Sequence, residues 1–283
     1  MHWQTSLLDR LARAMPGGYL AGDQPASEPT AWGSLALSAA GQLEASRVAC
    51  DWLVACQARN GSVGVNRSEA TPAWPTSLAI LAWTQWQNAS GTANYQRSID
   101  SAIKWTLKTK GRTTDRKPEI GHDTTLVGWS WAADTHSWLE PTALFVRALN
   151  AAGHANHERT EEATRMLVDR LLPTGGANYG NTRVLDQYLL PHVQPSGLVM
   201  WALARLPTDD SRIAASLDYL DSAIQQPLGA ASLAFAILGL KAHGRQSAHY
   251  EQKLETAFAG LSSDASPYKL ALLAMATQEG SHS

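Results

Sequence analysis

Pro141-Thr142-Ala143-Leu144-Phe145-Val146-Arg147-Ala148-Leu149 is one of six stretches that fall into a common register. Its siblings open with Pro29-Thr30-Ala31-Trp32, Pro75-Thr76-Ser77-Leu78, Pro195-Ser196-Gly197-Leu198, Ser232-Leu233-Ala234-Phe235 and Pro267-Tyr268-Lys269-Leu270. Three residues after each anchor stands a large apolar side chain: Trp32, Leu78, Leu144, Leu198, Phe235 and Leu270. Seven after it comes a small one: Ala36, Ala82, Ala148, Ala202, Gly239 and Ala274. The eighth is apolar again. This spacing marks one face of an α-helix, and the small residue admits a close neighbour. Proline at a first helical position gives up an N–H with no intrahelical partner, so the anchors predict where each helix starts.

Upstream of each anchor lies a second amphipathic segment: Leu7 to Met15, Val48 to Cys56, Ile99 to Leu107, Ala163 to Leu171, Ile213 to Ile224 and Leu254 to Leu261. Glycines punctuate several connections, as at Asn60-Gly61 and Gly175-Gly176. Six helical hairpins follow, with insertions confined to loops. The repeats alone do not separate an open solenoid from a closed ring.

Composition agrees with one sizeable globular domain over residues 1–283. Hydrophobic residues make up 44% of the chain and charged ones 17%, which supports a large core and excludes the disordered class. A formal charge of −2 lacks the footprint of a nucleic-acid or anionic-membrane binder. The apolar run Leu228 to Leu240 is shorter than the roughly 20 residues of a membrane span. Met1 to Met15 reads as an amphipathic helix rather than a secretory leader. Two cysteines, Cys50 and Cys56, exclude both a disulfide framework and a four-thiolate zinc site, and a reducing cytoplasm is the simplest setting.

Trp52-Leu53, Gln57, Gly61 and Gly64 resemble the Gln-Trp repeat of the terpenoid cyclase and protein prenyltransferase superfamily, with Val63 where those cyclases carry tryptophan. Gly128-Trp129-Ser130-Trp131 and Trp138-Leu139-Glu140-Pro141-Thr142 have the same flavour. The resemblance to squalene-cyclase-like proteins implies an all-α fold, an α/α toroid of six inner and six outer helices. It also implies an apolar funnel for a hydrophobic, isoprenoid ligand. The signature residues of the known chemistries are missing: Thr208-Asp209-Asp210-Ser211 is the nearest string to the cyclase Asp-x-Asp-Asp acid, and no zinc-binding Asp-x-Cys is present.

Candidate functional residues gather in the third repeat. His122-Asp123 and Asp134-Thr135-His136 put two imidazoles and two carboxylates in one loop region, so Asp123, Asp134 and His136 are the candidate acid/base set. The spacing also suits a metal chelate, and neither metal nor other cofactor is determined. Capping and local hydrogen bonds explain the same aspartates without chemistry. Lys104, Lys108, Lys110, Arg112, Arg116 and Lys117 could receive a diphosphate or be a solvated run. Glu28 and Glu140 precede anchor prolines, where a carboxylate suits the positive end of a helix dipole or the mouth of a funnel. The chain is rich in tryptophan, 11 against 3 Phe, and Trp74, Trp129, Trp131 and Trp138 lie in loops where indole faces could hold an isoprenoid cation or a sugar. The leading expectation is therefore a stand-alone toroid that binds an isoprenoid and processes it as a divergent cyclase or transferase. Alternatives are a non-catalytic scaffold for a protein or peptide partner, and a carbohydrate-active α/α toroid.

Overall fold

The computed structural model describes residues 2–117, 119–204, 206 and 209–278, so Thr208 of the acidic string lies outside the described residues. Among them are twelve α-helices: α1 (Trp3–Arg13), α2 (Ser27–Ala39), α3 (Leu43–Val54), α4 (Thr76–Ser90), α5 (Gln96–Lys108), α6 (Leu139–Ala151), α7 (Glu158–Asp169), α8 (Val193–Leu203), α9 (Ser211–Ala223), α10 (Ala230–Ala242), α11 (Ala248–Ala259) and α12 (Pro267–Thr277). One antiparallel hairpin, β1 (Arg183–Val184) with β2 (Gln187–Tyr188), is the sole sheet among them. No described helix is long and apolar enough to cross a membrane.

Even-numbered helices carry the anchors and odd-numbered helices the upstream segments. The two sets are buried differently. In α10 every residue from Leu233 to Leu240 is buried, and in α8 every residue from Pro195 to Leu203. In α1 only Leu7 and Leu11 are, and in α11 only Tyr250, Leu254 and Phe258. A helix apolar all round needs neighbours all round, whereas a striped helix covers one side and faces water on the other.

The helices form two compact units. Residues 2–108 and 247–278 form one, in which α2 is flanked by α12 and α4 and covered by α3. The last anchor helix thus packs on the first, a contact that an open stack of repeats does not make. In the second, residues 109–246, α8 lies between α6 and α10, with α7 and α9 against them. At the α8–α10 crossing a Cβ on Gly197 would run into the Phe235 carbonyl, and one on Gly239 would stand 2.7 Å from the Gly197 carbonyl oxygen. The small position seven residues after the anchor has the close-approach role expected of it.

Helix starts differ from the expectation. Proline stands at the first position only in α12; in α2, α6 and α8 the helix begins two residues earlier, and in α4 Pro75 is the N-cap. The first four N–H groups of a helix have no intrahelical acceptor, so the whole first turn tolerates proline. What fixes these starts is the next side chain. Thr30, Thr76, Thr142 and Ser196 each accept a hydrogen bond from the loop backbone, at Gly17 N (3.1 Å), Val63 N (2.8 Å), Trp129 N (3.0 Å) and Ala177 N (2.8 Å). Each hydroxyl also reaches the carbonyl of that same loop residue. A buried hydroxyl so placed binds both polar groups of one loop residue and ties that loop to the helix start.

Candidate functional site

Two places gather chemistry-bearing side chains, one in each unit. In the first, Glu28 lies in the first turn of α2. The start of α2 is held by Ser27, whose N–H donates to the Val65 carbonyl (2.8 Å) and whose hydroxyl donates to that of Gly64 (2.7 Å). Both carboxyl oxygens of Glu28 are engaged by phenols: Tyr19 donates to Oε2 at 2.5 Å and Tyr268 to Oε1 at 3.0 Å. The phenol rings meet edge to face, 5.5 Å apart. Tyr268 belongs to the first turn of α12, capped by Ser266, whose hydroxyl also binds the Tyr19 carbonyl. Burial raises the Glu28 pKa; hydrogen bonds from Tyr19, Tyr268 and Trp32 favour the charged form but do not offset it. Burial, followed by the charge of Glu28, raises the Tyr19 phenol in turn. The result is a half-buried carboxyl oriented at both oxygens and inclined to keep its proton.

The second place is a cavity of about 700 Å³ under the third-repeat loops and the β1–β2 hairpin. Its wall includes His122, His136, Trp138, Arg170 and Leu185. The Arg112 N–H donates to the Thr135 carbonyl (2.8 Å), and the Trp138 N–H donates to that of Trp129 (3.0 Å). These bonds place His136 and Trp138 on one wall. Trp138 remains 38% exposed, so an indole face is open to a ligand. His122 is only 6% exposed; burial, then the nearby Arg170 charge, lowers its pKa to about 4 and leaves it a neutral imidazole. Its Nδ1 has no hydrogen-bond partner. Arg170 is buried too, with Nη1 donating to the Gly180 carbonyl at 2.6 Å.

The candidate residues are sorted by these surroundings. Asp123 spends its carboxylate on its own turn, accepting from the Thr125 N–H (2.9 Å) and hydroxyl (2.6 Å), which hold its pKa below the usual range. Asp134, with φ +60°, occupies a left-handed turn position that aspartate tolerates, and its side chain is 85% exposed. His136 reaches the cavity without either carboxylate completing a set around it. Among the described residues no group of three or more His, Cys, Asp or Glu could hold a metal ion. Trp129 is fully buried against Phe145, with the Arg159 guanidinium 4.6 Å from its ring centre, so it presents no face to a ligand. Trp74 and Trp131 are half-buried and outside the cavity wall. Glu140 is buried in the first turn of α6 and accepts from Gln194 at 3.1 Å. Of the basic run, Arg112 and Lys117 reach the cavity, while Arg116 lies 3.7 Å from Asp123.

Sequence reasoning missed Tyr19, Tyr268, Arg170 and Arg183. One signal was there: Tyr268 stands at the repeat position that four other repeats fill with a loop-clamping Thr or Ser.

No family model and no curated protein matches the chain. Solved structures do resemble it over nearly its full length. An α-amylase from Clostridium perfringens superposes with a TM-score of 0.67 at 11% identity, covering 98% of each chain. A family 8 endoglucanase from Klebsiella pneumoniae gives 0.60 at 13% identity, covering 96% of this chain and 97% of its own. A family 76 mannosidase from Bacteroides thetaiotaomicron gives 0.58 at 11%, covering 97% of each. At such identities the likeness shows the fold, which is the all-α, α/α toroid class that the cyclase resemblance implied. It also corrects the family. The structural neighbours are glycosidases and a polysaccharide lyase rather than terpenoid cyclases, and the isoprenoid ligand expected from the cyclase resemblance loses its basis. Gln57 shows why the motif misled: its amide donates to the Gly61 carbonyl (3.0 Å) and to that of Ser98 on α5 (2.9 Å), a joint between neighbouring hairpins that involves no ligand.

Proposed function

We propose that the protein is a carbohydrate-active enzyme that cleaves a glycosidic linkage with Glu28 as proton donor. The observation that carries this reading is the Glu28 carboxyl, half-buried and bound at both oxygens by Tyr19 and Tyr268. Hydrolysis of a sugar–oxygen bond expels an alkoxide, which takes the proton of a carboxylic acid with a raised pKa while water bonds to the anomeric carbon and gives up a proton in turn. The two phenols orient the acid and leave it no rotamer freedom to waste. The fold is shared with an α-amylase, an endoglucanase and a mannosidase. Glu140 occupies in its repeat the register position that Glu28 holds in the first, one residue before the anchor proline. The buried, unpaired cysteines Cys50 and Cys56 support a reducing, cytoplasmic setting.

Release of reducing ends from a panel of α- and β-glucans and mannans tests the reading. Glu28→Gln should lower turnover about 10²- to 10⁴-fold, the usual worth of a general acid. Wild-type activity should fall as pH rises through the elevated Glu28 pKa, because the deprotonated form has no proton to give. A raised pKa also means that Glu28 favours folding at low pH and that this support fades as pH rises through its folded value. Glu28→Gln, neutral at every pH, should therefore unfold at a higher temperature than wild type in alkaline buffer. Unchanged turnover in Glu28→Gln would sink the assignment.

A further inference from the structure

The cavity beneath the third-repeat loops has a charge pattern that a neutral glycan would not use. Arg112, Lys117, Arg170 and Arg183 face it, against only Glu119 and Asp186. Arg183 is 3.3 Å from Asp186 at the turn of the hairpin. Arg112 meets Asp134 only at 4.0 Å, with both side chains largely in water, a pairing of little strength. Arg170 is the most telling. It is 6% exposed, and its closest carboxylate, Asp169, approaches only Nε, at 3.6 Å; its terminal nitrogens bind the carbonyls of Gly180 (2.6 Å) and Asp123 (3.5 Å). A buried guanidinium without a bidentate carboxylate is suited to receive one. A second observation points into the same space. The His122 side chain, 94% buried, lines the cavity with an Nδ1 that nothing in the protein satisfies, and buried ring nitrogens ordinarily have partners. Trp138 supplies an open indole beside them.

We propose that this cavity seats an acidic sugar residue, with Arg112, Arg170 and Arg183 around its carboxylate, a ring hydroxyl on His122 and the sugar face against Trp138. A guanidinium fork matches a carboxylate at two points, and an indole matches the C–H face of a pyranose. One residue of a glycan therefore offsets part of the cation excess and partners the orphan nitrogen. The choice of a sugar ring rests on the carbohydrate reading above; the demand for an anion does not.

Calorimetric titration of the full chain tests this with three trisaccharides: a trigalacturonate, a neutral trisaccharide of the same linkage, and that neutral trisaccharide carrying sulfate. The uronate should bind at least about tenfold more tightly than the neutral sugar, a gap of about 1.4 kcal/mol. Arg112→Gln, at an exposed position where folding is undisturbed, should erase most of that gap, and Trp138→Ala should weaken the uronate and the neutral sugar alike. Equal binding of uronate and neutral sugar would overturn the proposal and leave the glycosidase reading standing. Preference for the sulfated sugar over the uronate would overturn the carboxylate assignment. Arg112-dependent uronate binding by a protein in which Glu28→Gln changes no turnover would keep the cavity assignment and remove the proton donor.

Discussion

Tyr268 is the residue on which the proposed chemistry turns. Its phenol donates to the Glu28 carboxyl and favours the charged form against a burial that favours the neutral one. Removing that donor leaves burial with less opposition. Tyr268→Phe should raise the Glu28 pKa further and move the alkaline limb of the pH–rate profile to higher pH, while turnover at the optimum changes less than in Glu28→Gln; the profile of initial rates over a pH series checks it. A limb moving to lower pH would mean that the phenol acts on the neutral acid instead. Glu28 was visible in the sequence as a carboxylate one residue before an anchor proline, a place explained equally well by the helix dipole. Its partners were not visible. Tyr19 comes from the loop before α2 and Tyr268 from the other end of the chain, and no local pattern joins residues so far apart. Asp123 and Asp134 were visible in the sequence too, and the structure puts Asp123 in a turn where it binds its own backbone and Asp134 at a left-handed corner, both ordinary places for aspartate in loops.

Helix positions were legible because periodicity survives any change of partner. All six anchor helices and all six upstream helices are where the 3/7/8 spacing and the amphipathic segments put them, but upstream helices begin earlier, in α11 at Ala248 rather than Leu254. The early turns are polar, as in α7, where His157 caps, and α9, where Asp210 does, so the apolar period starts late. The Thr or Ser after the anchor was read only as part of the motif, although it is the feature that ties each loop to its helix. Thr142→Val keeps the shape and removes the hydroxyl, leaving the Trp129 N–H buried without an acceptor. The cost should be about 1–3 kcal/mol, read as a lowered denaturation midpoint at unchanged m-value. Thr142→Ser should recover most of it. Equal loss in both would assign the effect to packing instead.

For the whole molecule, the packing of α12 on α2 decides what kind of repeat protein this is. In a linear array each repeat touches only its sequence neighbours, so loss of a terminal repeat uncovers a single interface. Here deletion of residues 262–283 takes away α12, one of the helices that bury α2, and with it Tyr268 from Glu28. The shortened chain should lose cooperative unfolding in the first unit, seen as a broadened thermal transition and new binding of a hydrophobic dye; a sharp transition near that of the full chain would show that α12 is dispensable. At this scale the resemblance to terpenoid cyclases held for the toroid and failed for the family and the ligand. Gln57 joins neighbouring hairpins through the Gly61 and Ser98 carbonyls, so in this chain the motif serves architecture.

The same contact sets a timetable for the ribosome. α2 ends at Ala39 and its partner begins at Pro267. At translation rates of about 5–20 residues per second, the interval between the two is on the order of ten to fifty seconds. Throughout that window the face of α2 that α12 will cover is an apolar surface on a nascent chain, so the first repeat to be made is the last to be completed.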